Sequence, residues 1–320
     1  MPKKTILVTG GCGFIGSNLT RILLEKGYNV KILDNLSTGK KEYIGNANVE
    51  LIIGDITDET LVSNIVRDID VIVHLAAHTN VIKSIENPLL DFNINVFGTF
   101  NLLRNAVLSQ SVDKFILASS NAAVGAQSPP ITEEAIPAPL SPYGASKLAC
   151  EAYCSAFAES YALKTISLRF ANVYGPYSTH KSSVISLFIT NILDDHPLTI
   201  YGDGSQTRDF IYVDDICRMR LFSQEKDDAY GIFQIGTGRE TTIIELVHKV
   251  KLLLNDNVDI IFEPERVGEI TRNYSGIERA KRLLGFVPQV DLDMGLEMTY
   301  GWFCNHQIFS KSLVVDQKKH

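Results

Sequence analysis

Six short apolar runs recur along the first half of the chain, and amphipathic segments separate them. The runs are rich in Val, Ile and Leu without polar alternation, which is typical of strands buried on both faces. We therefore predict an α/β fold with a doubly wound parallel sheet and helices on both sides. The predicted strands are residues 5–9, 29–33, 49–53, 71–75, 114–119 and 165–170, and the predicted helices between them are 14–26, 59–67, 88–109 and 143–161.

A glycine-rich loop joins the first strand to the first helix. Residues 9–16 read Thr-Gly-Gly-Cys-Gly-Phe-Ile-Gly, with glycine at 10, 13 and 16. Glycine permits a tight turn and close approach to a pyrophosphate, and the helix N-terminus presents free N–H groups to that anion. Asp34 follows the second strand, where an acid bonds the ribose 2′-hydroxyl of a dinucleotide. A carboxylate there repels a 2′-phosphate, so we predict NAD rather than NADP.

The strand–helix alternation loosens after residue 172, where turn-rich segments interrupt it. Helical periodicity then returns toward the C-terminal end, which indicates a second, smaller α/β lobe for the substrate. We predict a Rossmann domain from 1–172 plus 214–238 and a substrate lobe from 173–213 plus 239–320.

Composition limits the partners and the compartment. Thirty basic against 37 acidic residues leave a net charge of −7, which argues against a nucleic-acid-binding surface. No apolar run reaches the roughly 18 residues of a membrane span, and no signal-peptide pattern opens the chain, so we predict no membrane contact. Five cysteines without CxxC spacing predict free thiols, a cytoplasmic location and no metal site.

A tyrosine and a lysine open the predicted helix 143–161. Tyr143 and Lys147 stand four residues apart, so their side chains share one helix face. A free tyrosine has a pKa of about 10 and is a poor base at neutral pH, but a nearby ammonium favours its phenolate. Ser120, at the end of the fifth strand, adds a hydroxyl. These residues predict proton transfer to and from a sugar hydroxyl.

Together the motifs resemble the extended short-chain dehydrogenase/reductases, and within them the sugar-nucleotide epimerases. The resemblance extends over essentially the whole chain. The matching motifs are residues 9–16, 33–39, 54–56, 74–77, 95–99, the pair Tyr143 and Lys147, 169–176 and 208–215.

The resemblance implies NAD as cofactor, a UDP-sugar as substrate, a homodimer, and a role for each matching residue. Expected at the cofactor are Gly10, Gly13, Phe14, Ile15, Gly16, Asp34, Asn35, Ser37, Gly39, Asp55, Ile56, Leu75, Ala76, Ala77, Asn95, Tyr143 and Lys147. Expected at the substrate are Ser120, Asn172, Val184, Tyr201, Arg208, Arg266 and Asn273. Ser120, Tyr143 and Lys147 are expected to be catalytic.

Three functions are compatible with these motifs. An epimerase oxidises C4 of a UDP-hexose and returns the hydride to the opposite face of the 4-keto sugar. A dehydratase or decarboxylase starts with the same oxidation, and a redox sensor binds NAD without catalysis. The resembling dehydratases and decarboxylases carry acids where this chain has Asn121 and Ala122, and a sensor does not need Ser120, Tyr143 and Lys147. The resemblance therefore favours a 4-epimerase.

One position predicts which sugars are accepted. In the resembling epimerases, a residue shortly after the phosphate-binding arginine forms the wall of the pocket beside the sugar's C2 group. A tyrosine at this position excludes an N-acetyl group. Alignment from Arg266 places Asn273 at this wall, and a shift of one residue would place Tyr274 there instead. Asparagine is smaller, and its amide can bond an acetyl oxygen. We therefore predict UDP-glucose and UDP-N-acetylglucosamine as substrates.

Overall fold

The computed structural model describes residues 3–179, 181, 183–219, 229–254, 257–265 and 270–316, with the backbone alone over 307–316. The strands of the central sheet are β1 (Thr5–Thr9), β2 (Asn29–Asp34), β3 (Glu50–Ile53), β4 (Val71–His74), β5 (Lys114–Ser120), β6 (Lys164–Phe170) and β11 (Gly231–Ile235). Within the described ranges these seven strands form one parallel sheet in the order β3-β2-β1-β4-β5-β6-β11. The predicted doubly wound parallel sheet is confirmed.

The sheet is buried on both faces, which explains why its strands lack polar alternation. In β1, Ile6 and Val8 point into one hydrophobic core and Leu7 points into another, and all three are 0% exposed. A polar residue at any of these positions would lose its hydration without gaining a partner.

Helices α1 to α6 surround this sheet. They are α1 (Phe14–Glu25), α2 (Glu59–Ile65), α3 (Val81–Glu86), α4 (Pro88–Phe92), α5 (Gly98–Ser109) and α6 (Pro142–Tyr161). The helix predicted over 88–109 is interrupted, because a π-helical turn (Asn93–Phe97) separates α4 from α5. Such turns occur frequently at functional sites, and this one carries Asn95.

Most of the remaining elements pack around a third hydrophobic core, whereas Ile216 and Ala280 belong to the first one. These remaining elements are β7 (Asn172–Tyr174), α7 (Val184–Leu193), β8 (Leu198–Tyr201), β9 (Thr207–Arg208), β10 (Phe210–Tyr212), α8 (Val213–Cys217), β12 (Thr241–Thr242), α9 (Ile243–Leu254), β13 (Ile260–Glu263), α10 (Glu278–Leu284) and α11 (Leu292–Asp316). In this part of the chain β7 pairs with β10 and β8 with β13 in parallel, and β9 pairs with β12 antiparallel. Ile189, Leu198 and Leu246 lie in the core between them.

The carboxyl edge of the sheet is where a ligand is expected to bind. Strands β1 and β4 are neighbours, and the chain winds outward from them in opposite directions. Ligands of open α/β sheets bind at such a switch point. Thr9, Asp34, His74 and Ser120 all end their strands at this edge. Among the described helices, none combines the length and apolar character that a bilayer crossing requires.

Candidate active site

The glycine loop forms a cradle that side chains would fill. A Cβ atom on Gly16 would lie 2.2 Å from the Gly10 carbonyl oxygen, and one on Gly10 would lie 2.7 Å from the Ala76 nitrogen. Gly10 also has φ +70°, a left-handed conformation that favours glycine. Helix α1 begins directly after this loop, with Gly13 as its N-cap, no side-chain capping bond and no acid in its first turn. The arrangement fits a pyrophosphate at the helix N-terminus.

Asp34 lies beside this cradle and holds its shape. The carboxylate accepts hydrogen bonds from the backbone N–H of Cys12 at 2.9 Å and of Leu36 at 2.8 Å. A carboxylate has about four acceptor sites, so acceptor capacity remains for a ribose hydroxyl. Gly39 packs against the same group, because a Cβ there would lie 3.0 Å from Asp34 Oδ2.

The neighbouring loop after β2 is tied to the loop after β3. Asn35 Nδ2 donates to Asp55 Oδ2 at 2.8 Å, and Asn35 Oδ1 accepts from the Ser37 N–H at 3.0 Å. Burial favours the neutral form of Asp55, but hydrogen bonds from Thr57 and Asn35 prevail and hold the pKa of Asp55 below its usual value. Asn35, Ser37 and Asp55 therefore lie together, as the resemblance implies for the adenosine end of NAD.

Asn95 organises the loop after β4. Its Oδ1 accepts from the His78 N–H at 2.8 Å, and its Nδ2 donates to the His78 carbonyl at 3.0 Å and to Asp91 Oδ1 at 2.9 Å. The amide N–H groups are thus engaged within the protein. Asn95 positions the segment that carries Leu75, Ala76 and Ala77, rather than presenting its own donors to a ligand.

Close packing brings Ser120 and Tyr143 together. Helix α6 starts with Ser141 as N-cap, whose hydroxyl accepts from the Gly144 N–H at 3.1 Å. A Cβ on Gly144 would lie 2.3 Å from the Ala122 carbonyl oxygen, so the helix rests directly on the serine loop. The Ser120 side chain lies close enough to the Tyr143 hydroxyl to favour its ionised form. The predicted pair therefore forms one polar unit.

Burial dominates the electrostatics of this unit. Tyr143 is 8% exposed, and burial raises its pKa to about 12, against the opposing effect of the Ser120 side chain. Lys147 lies 6.0 Å from the centre of the Tyr143 ring and donates from Nζ to the Ala118 carbonyl at 2.8 Å. Burial also lowers the pKa of Lys147. The predicted activation of Tyr143 involves both the Lys147 ammonium and an oxidised nicotinamide, and Lys147 alone leaves the pKa of Tyr143 above its usual value.

A buried ion pair, absent from the sequence-based site, supports the serine loop. Arg169 donates from Nε and Nη2 to both carboxylate oxygens of Glu151, at 2.9 and 2.7 Å. The Ser119 hydroxyl donates to the same carboxylate at 2.5 Å. Glu151 follows Lys147 by one helical turn, and Arg169 is the neighbour of Ser119 in the paired strands. The i, i+4 spacing from Lys147 was the signal that could have identified Glu151.

A cavity of about 390 Å³ lies between α7 and strands β7 to β10. Asn172, Val184, Tyr201 and Arg208, all predicted at the substrate, line it. Gln206 and Asn191 also line it and were missed, because no motif carries them. Arg208 Nη1 donates to the Thr207 and Ile270 carbonyls, both at 2.7 Å, which fixes the guanidinium. Arg266 lies outside the described residues.

Asn273 lies between the serine loop and the arginine strand. Its backbone N–H donates to Thr207 Oγ1 at 3.3 Å, and its Oδ1 accepts from Asn121 Nδ2 at 3.3 Å. Asn121 Nδ2 also donates to Ser275 Oγ at 3.1 Å. The structure thus brings Asn273 next to Asn121, the residue that follows Ser120 in the sequence.

A family model described as the NAD dependent epimerase/dehydratase family matches residues 6–236. The chain belongs to that family. NAD is therefore its cofactor, and the cradle at the start of α1 fits the pyrophosphate of NAD. The predicted family and cofactor are both confirmed. Among the described residues, no group of three or more His, Cys, Asp and Glu side chains is placed to hold a metal ion.

Relatives within the family match nearly the full chain. The UDP-glucose 4-epimerase of Mycolicibacterium smegmatis is 36% identical over 310 residues, which cover 93% of this chain and 98% of that protein. The solved UDP-glucose 4-epimerase of Thermotoga maritima, with UDP-glucose, superposes with a TM-score of 0.90 at 36% identity and covers 95% and 99% of the two chains. The UDP-N-acetylglucosamine 4-epimerase of Methanobrevibacter ruminantium superposes with a TM-score of 0.91 at 35% identity, covering 96% and 100%.

Proposed function

We propose that this family member is an NAD-dependent 4-epimerase of UDP-hexoses. One observation carries the proposal: Ser120 and Tyr143 lie next to each other at the carboxyl edge of the sheet, and the positions after Ser120 are Asn121 and Ala122. Neither residue can transfer the additional proton that a dehydratase or a decarboxylase needs. The names of the relatives support the same reaction.

In the proposed reaction, NAD supplies the hydride acceptor and later the hydride donor. Tyr143 takes the proton from the 4-hydroxyl group as that carbon is oxidised, and it returns the proton when the 4-keto sugar is reduced from its opposite face. Ser120 bonds the same sugar oxygen and fixes its distance from Tyr143. The pKa of Tyr143, about 12 in the protein alone, must fall for this step, and the positive charges of Lys147 and of the oxidised cofactor both act in that direction.

The remaining residues divide between the two ligands. We assign the pyrophosphate to Gly10, Gly13, Phe14, Ile15 and Gly16, and the adenosine end to Asp34, Asn35, Ser37, Gly39, Asp55 and Ile56. We assign the UDP-sugar to Ser120, Asn172, Val184, Tyr201, Arg208, Arg266 and Asn273. A guanidinium matches phosphate oxygens bidentately, which supports Arg208 as a diphosphate ligand.

The polar groups beside Ser120 favour a sugar with an acetamido group at C2. Asn121 Oδ1 is buried and accepts no hydrogen bond from the described residues, so it offers an acceptor for an amide N–H. Asn273 is only 8% exposed and leaves more space than a tyrosine would. We therefore propose that UDP-N-acetylglucosamine is accepted along with UDP-glucose.

We further propose a cytoplasmic homodimer with the domain division given above. All five cysteines are free thiols, as a reducing compartment favours. The layer of α3 to α6 exposes apolar side chains that a second copy would cover. These side chains are Ile82, Ile85, Leu89, Phe92, Leu108, Tyr153 and Tyr161. The pairing of β11 with β6 supports assigning 214–238 to the sheet domain.

A substrate panel tests the proposed reaction. The purified protein is assayed with UDP-glucose, UDP-N-acetylglucosamine and UDP-glucuronate, with products identified by NMR. Inversion at C4 of the first two supports the proposal. Loss of water or of carbon dioxide from the sugar, or turnover of the glucuronate alone, would contradict it.

A further inference from the structure

Among the described residues, no carboxylate lies within ion-pair distance of the Lys181 ammonium. The Lys181 side chain is partly buried, its Nζ donates to the Val173 carbonyl at 2.8 Å, and it lies 5.4 Å from the centre of the Phe14 ring. Burial lowers the pKa of the ammonium to about 8. Buried charges in proteins are normally paired, so the environment of this ammonium suits a bound anion.

The position of Phe14 indicates where that anion binds. Phe14 is the first residue of α1, directly after the glycine loop whose cradle fits the pyrophosphate. The ammonium of Lys181 therefore lies against the side chain of the first residue of α1, the helix whose N-terminus closes the cradle. The positive end of the helix dipole and the ammonium of Lys181 would both attract a pyrophosphate.

The crossing segment, residues 176–179, precedes Lys181 and contacts both α1 and the loop that carries Tyr43. Asn18 Nδ2 of α1 donates to the Pro176 carbonyl at 3.0 Å, and the hydroxyl groups of Tyr43 and Thr179 are hydrogen-bonded at 3.0 Å. Tyr177 packs between the rings of Tyr43 and Trp302, at centroid distances of 5.0 and 4.8 Å. These contacts fix the path of the crossing segment, residues 176–179, up to Lys181.

The backbone of the crossing segment is also strained. Tyr177 has φ +69°, a left-handed conformation that is uncommon for a non-glycine residue. Residues held in such conformations cluster at ligand clamps and active sites. The strained conformation of Tyr177 therefore lies in the segment that leads to Lys181.

We propose that Lys181 binds the pyrophosphate of NAD from outside the sheet domain and slows release of the cofactor. The inference rests on the proposed assignment of the pyrophosphate to the glycine loop. It adds a ligand that lies on neither the loop nor the sheet and that belongs to no cofactor motif of the sequence.

The test measures NAD release from full-length, NAD-loaded protein carrying Lys181→Met. Methionine keeps the length and the apolar packing against Phe14 but removes the charge. We expect NAD to dissociate about 10- to 100-fold faster, the range of a hydrogen bond to a charged group. Lys181→Arg should retain slow release. Lys26→Met, at the exposed far end of the same helix, is the matched control and should release NAD at the wild-type rate.

Three further measurements separate the possible outcomes. A wild-type rate of NAD release in Lys181→Met, with UDP bound more weakly, would overturn the proposal in favour of the substrate's diphosphate. If Lys181→Met lowers the melting temperature of the nucleotide-free protein as much as that of the NAD-loaded protein, the proposal is also overturned, because the lost hydrogen bond to the Val173 carbonyl then accounts for the whole effect. Asp34→Ala tests the proposed cofactor site independently of Lys181. If Asp34→Ala also releases NAD at the wild-type rate, the assignment of the whole cofactor site fails and not only the role of Lys181.

Discussion

The cofactor side of the site is built mainly from backbone, whereas the sugar side is built from side chains. At the cofactor, the decisive atoms are N–H groups of α1 and the absence of Cβ atoms at Gly10 and Gly16. The side chains proposed at the sugar, Arg208, Asn273 and Ser120, come from separate parts of the chain, and Asn273 contacts the neighbours of the other two, Asn121 and Thr207.

This difference determines how each side tolerates change. A backbone cradle has no side chain to adjust, so a single added methyl group collides with a fixed carbonyl oxygen. A side-chain pocket can exchange one residue for another and alter its ligand while the fold persists. Four substitutions test this comparison, the first at the junction between the two sides.

Tyr143→Phe should have the largest effect. The phenol stands between the two sides, and its hydroxyl is the proposed proton acceptor. We expect kcat to fall by about 10²–10⁴-fold or more, the range of general acid–base catalysis, while NAD and UDP still bind. Steady-state kinetics with UDP-glucose and measurement of bound NAD check this result.

Tyr153→Phe is the matched control for that variant. Tyr153 lies on the same helix but is 40% exposed, so removing its hydroxyl should leave turnover unchanged. Near-normal activity of Tyr143→Phe would remove Tyr143 from the mechanism, and loss of bound NAD would show that its hydroxyl is structural.

Gly16→Ala tests the backbone side. Its Cβ would lie 2.2 Å from the Gly10 carbonyl oxygen, so the loop must shift or the pyrophosphate must be excluded. We expect loss of bound NAD together with a destabilisation of about 1–3 kcal/mol, typical of overpacking. Cofactor content and thermal unfolding report the two effects.

Gly301→Ala is the corresponding change where the structure leaves space. Gly301 lies within α11, and no atom lies within 4 Å of the added Cβ. Alanine is favoured over glycine inside a helix, so this variant should be about 0.5–1 kcal/mol more stable, with NAD bound as before. If both glycine variants behave alike, the cradle is not a tight backbone fit.

The difference between the sides also explains what the sequence could predict. The glycine loop and Asp34 are local features read from one strand–loop–helix unit, and the apolar runs alone predict the parallel sheet. Each depends on neighbours in sequence. The interruption at Asn93–Phe97 was not predicted, because nothing in the helical pattern of 88–109 marks a π-helical turn.

The sugar side could be predicted only through family resemblance. Gln206 and Asn191 line the cavity, yet neither belongs to a motif, and their meeting depends on how α7 packs against β8. The raised pKa of Tyr143 was also not predictable, because the spacing to Lys147 reveals the neighbour but not the burial. Distances and burial follow from tertiary packing, which a spacing rule does not contain.

Arg208→Lys tests the side-chain half and should have a smaller effect than the first two changes. Lysine keeps the charge but loses the planar fork that pairs bidentately with phosphate oxygens. We expect KM for UDP-glucose and the Kd of UDP to rise by about 10-fold or more, with little change in kcat or in bound NAD. Arg282→Ala, at an exposed position of α10, is the control. Loss of NAD in Arg208→Lys would contradict the division into two sides.

Asn273→Tyr should have the smallest effect on the enzyme as a whole and the most selective one. Asn273 accepts a hydrogen bond from Asn121, beside Ser120, so a tyrosine ring there would fill the space proposed for the acetamido group. One blocked substituent typically costs roughly 1–3 kcal/mol in discrimination, so kcat/KM for UDP-N-acetylglucosamine should fall by about 10- to 100-fold. UDP-glucose, which lacks the group, should be turned over at nearly the wild-type rate. Asn273→Ser, which keeps the space open, should retain both activities. If kcat/KM falls equally for both substrates in Asn273→Tyr, Asn273 supports the serine loop and does not line the sugar pocket.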